Sequence, residues 1–218
     1  MISNNLFSLK GKTALVTGGS TGIGLMATAG LVSAGAKVFI VSRKLENCEK
    51  AAKELNNHDF EGEVIPFRGD LSSETGINNI IDGIYAKNSE LNILINNAGR
   101  TWGSDLSSFP YEAWAKVLNL NVSAIFYLTQ KLVPLLTASS KSDFPSRVVN
   151  IGSVMGEVPM GDGAYSYAAS KSAVHHITRI LAKELAERNI TVNALSPGPF
   201  KSNMTDFAIG DSKGTMRV

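Results

Sequence analysis

A regular alternation of short apolar runs with longer segments of helical periodicity constrains the fold of this chain more than any other feature. Val, Ile and Leu dominate the short runs, which have the length and continuous apolar character of strands buried on both faces of a sheet. The six predicted strands are residues 13–17, 37–41, 63–67, 92–95, 147–151 and 191–195. The predicted helices are residues 22–34, 45–55, about 74–88, about 111–137 and 165–188. This order predicts an α/β fold, a doubly wound parallel sheet with helices on both faces and right-handed connections.

Length and composition predict one folded domain. The chain has 218 residues, of which 44% are hydrophobic and 18% are charged, as in an ordinary globular protein. Its net charge of +2 is spread along the sequence, which argues against a nucleic-acid binder. With one cysteine, no evident signal peptide and no apolar run of membrane-spanning length, we expect a cytoplasmic protein that does not enter a membrane. We expect an N-terminal tail at residues 1–8, the domain at 9–207 and an irregular tail at 208–218.

The sequence TGGSTGIG, residues 17–24, follows the first predicted strand and opens the first predicted helix. Glycine at Gly18, Gly22 and Gly24 lets the backbone turn tightly and approach a pyrophosphate closely. The helix N-terminus offers free N–H groups and the positive end of its dipole to the same anion. A glycine-rich loop that only turns the chain is the alternative. The strand before the loop and the helix after it favour dinucleotide binding.

The end of the second predicted strand indicates which dinucleotide is preferred. An acidic residue at this place accepts a hydrogen bond from the 2′-hydroxyl of NAD, whereas a nearby arginine accommodates the 2′-phosphate of NADP. In this chain Ser42 stands where the acid would be, and Arg43 and Lys44 follow it. The sequence therefore predicts NADP(H) as the cofactor. The alternative is that Arg43 is only a solvated loop charge.

Two further strand ends carry residues suited to an adenosine site. Asp70, in GDLS, either accepts a hydrogen bond from the adenine amino group, shapes a turn or caps the next helix. In NNAG, residues 96–99, the two asparagines are expected to tie neighbouring strand ends together. The small residues after them leave space for the adenine side of a cofactor.

Residues 164–174, AYSYAASKSAV, place two tyrosines and a lysine in a predicted helix. Positions four apart lie on one face of a helix, so Tyr167 is a neighbour of Lys171, whereas Tyr165 lies on a different face. An ammonium one turn from a phenol favours the phenolate, and such a phenol exchanges protons with a carbonyl or alcohol oxygen. On spacing alone, a surface pair without a catalytic role is the alternative.

TGGSTGIG, NNAG, SYAASK and SPGPF, in this order and spacing, resemble the motifs of the short-chain dehydrogenase/reductase family. The resemblance extends over about residues 9–207 and implies a Rossmann-type fold with a catalytic set of Asn, Ser, Tyr and Lys. In this chain that set is Asn121, Ser153, Tyr167 and Lys171. Tyr167 is the expected general acid/base, and Ser153 is expected to hold the substrate oxygen. Lys171 is expected to hold the nicotinamide ribose, and Asn121 to anchor a water that relays protons to it.

The resemblance also implies which residues hold NADP(H). The segment after the sixth strand is expected to contact the carboxamide end of the nicotinamide. The expected cofactor-binding residues are Gly18, Ser20, Gly22, Ile23, Gly24, Arg43, Asp70, Leu71, Asn97, Ala98, Gly99, Tyr167, Lys171, Pro197, Gly198, Phe200 and Ser202. His175 and His176 are adjacent and point to different faces of a helix, so no metal site is expected.

Within the family, NNAGRTWG, LVPLL, NIGSVMG and SPGPFKSNMT are similar to stretches of 3-oxoacyl-(acyl carrier protein) reductases, and among them of the rhamnolipid-pathway type. This resemblance implies that NADPH reduces a 3-oxoacyl thioester to a 3-hydroxyacyl thioester, a step of fatty acid metabolism. It also implies a homodimer or homotetramer. The acyl chain is expected to contact an apolar set of Trp102, Met155, Met160, Phe200, Met204 and Phe207.

Two other functions stay open on the sequence alone. One is a sugar or polyol dehydrogenase on the same scaffold, because loops set the substrate of such enzymes. The other is a cofactor-binding protein without activity. Family members usually continue with another helix and a seventh strand, which this sequence lacks, so we expect a truncated product or a misplaced gene boundary. The sixth strand is then expected to form an exposed sheet edge.

Overall fold

The computed structural model describes residues 7–160 and 163–198. Within these residues, the six predicted strands are present, and six α-helices lie between them where five were predicted. The strands are β1 Thr13–Thr17, β2 Lys37–Ser42, β3 Glu63–Arg68, β4 Ile93–Asn96, β5 Ser146–Ile151 and β6 Ile190–Leu195. The helices are α1 Gly22–Ser33, α2 Leu45–Asn56, α3 Glu74–Tyr85, α4 Tyr111–Leu118, α5 Ala124–Ser139 and α6 Tyr165–Leu185.

The described strands form one sheet in the order β3-β2-β1-β4-β5-β6, and every neighbouring pair is parallel. The chain moves outward from β1 to β3, returns to the middle of the sheet and moves outward again from β4 to β6. β1 and β4 are therefore neighbours, with Ala14 opposite Ile93. The strand order reverses between them, which opens a crevice beyond their carboxyl ends where ligands bind in such sheets. The prediction of a doubly wound Rossmann-type fold is confirmed.

Two apolar layers hold the helices against the sheet. On one face, α1 and α2 cover a layer that includes Val16, Ile40 and Cys48. On the other face, α3, α5 and α6 cover a larger layer that includes Phe39 and Leu128. Neighbours such as Phe39 and Ile40 belong to different layers because consecutive side chains of a strand point to opposite faces. Packing on both faces fixes the strand ends from which the site is built.

One predicted helix, about residues 111–137, is divided in the structure. α4 ends at Leu118, a π-helical turn occupies Asn119–Ser123, and α5 continues to Ser139. Turns of this kind are rare in proteins, and those that occur often lie at functional sites. Asn121, in the middle of the turn, is fully buried and hydrogen-bonded to residues outside the helix, which compensates for the disturbed backbone ladder. The spacing of apolar residues does not reveal such a turn.

The C-terminal end of the described chain forms one edge of the sheet. α6 ends at Leu185, a tighter helical turn follows, and Asn189 adopts a left-handed φ of 53° before β6 begins. Within the described residues β6 pairs with β5 and forms one edge of the sheet, as expected. In the part of the chain that the structure describes, none of the helices combines the length and the apolar character needed to cross a membrane.

Candidate active site

The glycine-rich loop after β1 lies at the carboxyl edge of the sheet and leads into α1. Gly18 has a φ of 64°, which residues with a side chain rarely adopt. Gly24 lies in the first turn of α1, where an added Cβ would be 2.2 Å from the carbonyl oxygen of Gly18. A side chain at this position would therefore push the helix away from the loop. Ser20, Gly22 and Ile23 complete the loop and the helix start, so the predicted pyrophosphate-binding residues are brought together.

Hydrogen bonds from the end of β4 hold this loop in place. Asn97 Nδ2 donates to the carbonyl oxygens of Thr17 and Gly18, at 2.9 and 3.2 Å. Thr17 Oγ1 accepts from the N–H groups of Asn97 and Ala98, at 2.9 and 3.0 Å. These bonds confirm the expectation that the NNAG segment ties strand ends together. The loop cannot move without breaking them.

A chain of buried polar side chains crosses from β4 to β5 beside the loop. Asn96 Nδ2 donates to Thr129 Oγ1 in α5 at 3.1 Å and to Asn150 Oδ1 in β5 at 2.8 Å. Asn150 Nδ2 donates to Thr178 Oγ1 in α6 at 2.9 Å. The four residues are at most 5% exposed, so each needs these partners in place of water. Asn96 ties strand ends as predicted, whereas its partners on the two helices were not predicted.

The carboxyl ends of β2 and β3 carry the residues predicted for adenosine. Asp70 Oδ1 accepts from the N–H and the hydroxyl of Ser72, at 2.9 and 2.7 Å, so it shapes a turn. Ser73, not Asp70, caps α3. Burial raises the pKa of Asp70, but the bonds from Ser72 and the charges of Arg43 and Arg100 outweigh it and hold this pKa below its ordinary value. Two cations therefore lie near the strand ends where a 2′-phosphate is expected.

The two tyrosines of α6 have different surroundings, as helical spacing predicts. The ammonium nitrogen of Lys171 lies 5.5 Å from the ring centroid of Tyr167. Tyr165 packs instead against Phe109, with ring centroids 5.3 Å apart and ring planes at 81°. It lines an apolar surface pocket together with Trp114. The structure thus places Tyr167, and not Tyr165, beside the lysine.

Lys171 is an unusual buried cation. The residue is 5% exposed, and its Nζ donates to the carbonyl oxygen of Ile151 at 2.6 Å. Removal from water disfavours the charged form and lowers the pKa of Lys171 to about 8. At neutral pH the amine still carries its charge, and in a site of low polarity that charge acts strongly on its neighbours.

Asn121 joins the segment after β4 to α6. Its Nδ2 donates to the carbonyl oxygen of Arg100 and to Ser170 Oγ, each at 2.9 Å, and its Oδ1 accepts from the N–H of Arg100 at 2.9 Å. Ser170 Oγ in turn donates to the carbonyl oxygen of Tyr167 at 2.6 Å. Both hydrogens of the Asn121 amide are committed to protein partners. The side chain is therefore a clamp in this structure, and its expected role as an anchor for water stays a prediction.

Ser153 lies two residues after the end of β5 and is 7% exposed. Its Oγ accepts a hydrogen bond from the N–H of Met155 at 3.2 Å, which leaves its own hydroxyl proton available to a ligand. Lys171 bonds to the carbonyl oxygen of Ile151, two residues before Ser153. The strand end therefore brings Ser153 and Lys171 to the same part of the sheet edge.

The described part of the segment after β6, up to Gly198, reaches the same edge. The carbonyl oxygen of Pro197 accepts from the N–H of Val154 at 3.1 Å, and Gly198 follows at the surface. Phe200 and Ser202, predicted to contact the nicotinamide, lie outside the described residues. Of the predicted acyl-chain contacts, Trp102 and Met155 are half-buried and Met160 is exposed, and the others, Phe200, Met204 and Phe207, also lie outside the described residues.

Sequence reasoning missed His175, which lies behind Ser153. Its Nε2 accepts from the N–H of Ser153 at 3.3 Å, and the ring is buried. His175 stands four residues after Lys171 and therefore on the same helix face, a spacing that would have placed it near the site. The sequence interpretation considered the two adjacent histidines only as metal ligands.

The residues present fit a dinucleotide. The N-cap residue of α1, Thr21, makes no side-chain hydrogen bond to the helix, so the first N–H groups of α1 keep the capacity to bind an anion. The close approach at Gly24 leaves no space for a side chain between loop and helix. Towards the adenosine end, Leu71 is buried, and Ala98 and Gly99 are half-buried and small.

Comparison with known proteins agrees with these features. The family model of short chain dehydrogenases matches residues 12–211. The rhamnolipids biosynthesis 3-oxoacyl-[acyl-carrier-protein] reductase of Pseudomonas aeruginosa is 46% identical over 205 residues, which cover 94% of this chain and 79% of that protein. The 5-keto-D-gluconate 5-reductase of Escherichia coli K12 is 32% identical over 212 residues, which cover 97% of this chain and 81% of that protein.

A solved structure gives the same result. The Pseudomonas aeruginosa RhlG/NADP active-site complex superposes with a TM-score of 0.90 at 45% sequence identity, over 96% of this chain and 81% of that chain. A match at this identity and coverage shows common ancestry as well as a common fold. The chain belongs to the short chain dehydrogenase family.

Proposed function

We propose that this chain is an NADPH-dependent reductase that converts 3-oxoacyl thioesters to 3-hydroxyacyl thioesters. The observation that carries the proposal is the buried ammonium of Lys171 beside the ring of Tyr167, at the strand end that also holds Ser153. A desolvated cation next to a phenol is an arrangement for proton transfer, whereas an exposed pair is not. The 46% identity to a 3-oxoacyl-[acyl-carrier-protein] reductase supports this substrate class.

NADPH is the cofactor in this proposal. Arg43, exposed at the end of β2, is available to the 2′-phosphate, and no acidic side chain stands at the preceding position to repel it. The RhlG complex, which holds NADP, supports the same cofactor. The described residues proposed to hold it are Gly18, Ser20, Gly22, Ile23, Gly24, Arg43, Asp70, Leu71, Asn97, Ala98, Gly99, Tyr167, Lys171, Pro197 and Gly198. Phe200 and Ser202 stay predictions.

The proposed chemistry needs a hydride for the carbonyl carbon and a proton for the carbonyl oxygen. Bound NADPH supplies the hydride. The phenol of Tyr167 gives its proton to the oxygen as negative charge develops there. The hydroxyl of Ser153, whose Oγ is already oriented by the N–H of Met155, donates a hydrogen bond to the same oxygen.

Lys171 and Asn121 support that proton transfer in the proposal. The ammonium of Lys171 stabilises the phenolate that remains on Tyr167 after the proton has left. One N–H of the ammonium group donates to the carbonyl oxygen of Ile151, so two N–H groups remain to donate to ribose hydroxyls. Asn121, through Ser170, holds the backbone of Tyr167 against the segment after β4. The same clamp restricts movement of the Tyr167 backbone.

A reductase of sugars or polyols is the second candidate. The observation in its favour is the 32% identity to a 5-keto-D-gluconate 5-reductase. The two candidates share the proton-transfer residues and differ only in the loops that contact the substrate. A cofactor-binding protein without turnover is the third candidate, and the same measurements test it.

A substrate panel distinguishes these candidates. The 218-residue chain is mixed with NADPH or NADH and with acetoacetyl thioester or 5-keto-D-gluconate, and cofactor oxidation is followed by absorbance. We expect the highest kcat/KM for the thioester with NADPH, at least about tenfold above the NADH reaction. A faster reaction with the sugar acid would favour the second candidate. Tight NADPH binding without turnover of any carbonyl would favour the third.

Assembly, compartment and domain limits belong to the same proposal. We propose a homodimer or homotetramer, a cytoplasmic location supported by the single buried cysteine, and no nucleic-acid or membrane partner. The proposed reductase domain is residues 9–207, between tails at 1–8 and 208–218. Size-exclusion chromatography with light scattering tests the assembly state directly.

A further inference from the structure

A cluster of polar side chains around the buried ring of His175 lies behind Ser153 and has no part in the proposed chemistry. His175, one turn beyond Lys171 in α6, is 7% exposed. Its Nε2 accepts from the N–H of Ser153 at 3.3 Å and lies 3.2 Å from Ser196 Oγ. Its Nδ1 faces Glu157 Oε1 at 3.4 Å. Both ring nitrogens thus face polar groups, and Nε2 has a hydrogen-bond partner on the main chain of Ser153.

The partners of the ring determine where its proton lies. A backbone N–H can only donate, so Nε2 presents its lone pair to Ser153 and the neutral ring carries its proton on Nδ1. The contact of Nδ1 with Glu157 lacks the alignment of a hydrogen bond, although the nearby carboxylate favours a proton there. The hydroxyl of Ser196 lies 3.1 Å from Glu157 Oε1 and 3.2 Å from Nε2 of His175. It has one proton and can donate a hydrogen bond to only one of these atoms at a time.

Two glycines make room for the imidazole. An added Cβ at Gly152 would lie 2.1 Å from Nε2 of His175, and one at Gly156 would lie 2.8 Å from its Cε1. The ring is thus held between the residues that precede and follow the turn at Ser153. Neither ring nor turn can shift unless the other shifts with it.

The main chain at Ser153 depends on this side chain for one of its anchors. Gly152 N–H donates to the carbonyl oxygen of Leu195 at 2.7 Å, and Val154 N–H donates to that of Pro197 at 3.1 Å. Between them, the N–H of Ser153 donates to Nε2 of His175. Without this acceptor the middle N–H would be buried and unsatisfied, and the turn would rotate to find another partner.

We propose that neutral His175 is a positioning residue that holds the main chain of Ser153, and so directs its hydroxyl to the substrate oxygen. The proposal rests on the role of Ser153 in the proposed function. A second proton on the ring would place Nε2–H against the N–H of Ser153, and two donors repel. The charged groups around the ring are Glu157 on the turn, and Lys171 and Arg179 one helical turn away on either side. The acceptor role of Nε2 therefore requires the neutral ring.

Two substitutions at one position separate positioning from packing. His175→Leu keeps much of the volume and removes the acceptor, and we expect kcat to fall about tenfold with the KM for NADPH within about twofold of wild type. His175→Gln places an amide oxygen near the site of Nε2, and we expect it to keep at least about half of the wild-type kcat. Equal impairment of both variants, or an unchanged kcat in His175→Leu, would overturn the proposal.

A double variant and a spectroscopic measurement complete the test. If His175 acts through Ser153, His175→Leu should cause no further loss of kcat in a Ser153→Ala background, and a full additional loss would contradict the proposal. In wild type, imidazole ¹⁵N shifts should show the proton on Nδ1, and the Ser153 amide should exchange slowly with solvent. Rapid exchange, or a proton on Nε2, contradicts the contact. These two readouts need no substrate, so they decide the role of His175 even if the wild type reduces no thioester.

Discussion

The two sides of the candidate site are held together in different ways. On the cofactor side, residues 17–24 are held by close backbone packing at Gly24 and by hydrogen bonds from Asn97 to carbonyl oxygens. None of these side chains titrates. On the catalytic side, Ser153 and Tyr167 surround a buried ammonium, that of Lys171, whose pKa is lowered to about 8. Steric fit should therefore govern the contribution of residues 17–24 to cofactor binding at any pH. Protonation state should govern turnover.

The largest effect is expected on the catalytic side. Tyr167→Phe keeps the ring beside Lys171 and removes the proton that the carbonyl oxygen receives. We expect kcat to fall about 1,000-fold, within the usual range for loss of a general acid, with the Kd for NADPH changed less than about threefold. Single-turnover kinetics and cofactor fluorescence measure the two quantities.

The matched control for this change is Tyr165→Phe, two residues away in the same helix. Tyr165 packs against Phe109 away from the lysine, so its hydroxyl should be dispensable and kcat should stay within about twofold of wild type. If the two variants lose activity equally, the site does not distinguish the tyrosines in the way proposed.

The next effect tests the steric character of the cofactor side. Gly24→Ala would place a Cβ 2.2 Å from the carbonyl oxygen of Gly18, so loop and helix must separate. We expect the Kd for NADPH to rise about 100-fold, from the roughly 1–3 kcal/mol typical of overpacking, by the same factor at every pH. Isothermal titration calorimetry at two pH values measures it.

Gly30→Ala is the control for that substitution. Gly30 lies in the same helix, and no atom is within 4 Å of the Cβ that would be added there. Alanine favours a helix interior over glycine by about 0.5–1 kcal/mol, so this variant should bind NADPH normally and unfold at a slightly higher temperature. Weaker binding in Gly30→Ala would show that the helix, rather than the close approach at Gly24, sets cofactor affinity.

A smaller effect concerns the polar chain that joins the two sides. Asn150→Ala removes the link between Asn96 and Thr178 and leaves buried polar groups without partners, which should lower the free energy of unfolding by about 2–3 kcal/mol. Asn193, exposed on β6, provides the control, and Asn193→Ala should change stability by less than about 0.5 kcal/mol. Urea unfolding measures both variants. If Asn150→Ala and Asn193→Ala have the same free energy of unfolding, the hydrogen bonds of Asn150 do not couple the two sides energetically.

Much of the cofactor side could be predicted from the sequence because its contacts are local. Residues 17–24 form their loop through glycines and a helix start that are adjacent in the chain. The neighbours Tyr167 and Lys171 follow from helical periodicity, which also holds over short distances. The parallel sheet with helices on both faces follows from the alternation of strands and helices, whereas the strand order is known only from the structure.

The rest could not be predicted because it depends on contacts between distant residues. The amide of Asn121 bonds to Arg100 and Ser170, and only the folded chain shows that a π-helical turn brings them together. His175 meets Ser153 for the same reason, and its neighbour His176 directed attention to metal binding instead. Long-range pairs of this kind leave no periodic pattern in a single sequence.

The most direct test of the difference between the two sides is the pH dependence of kcat for wild type, with acetoacetyl thioester and saturating NADPH. As pH rises through about 8, Lys171 loses its proton, and the phenolate of Tyr167 loses the cation that stabilises it. We predict that kcat declines above about pH 8 by close to tenfold per pH unit. A kcat that stays constant to about pH 10 would contradict a catalytic side organised around the buried charge of Lys171.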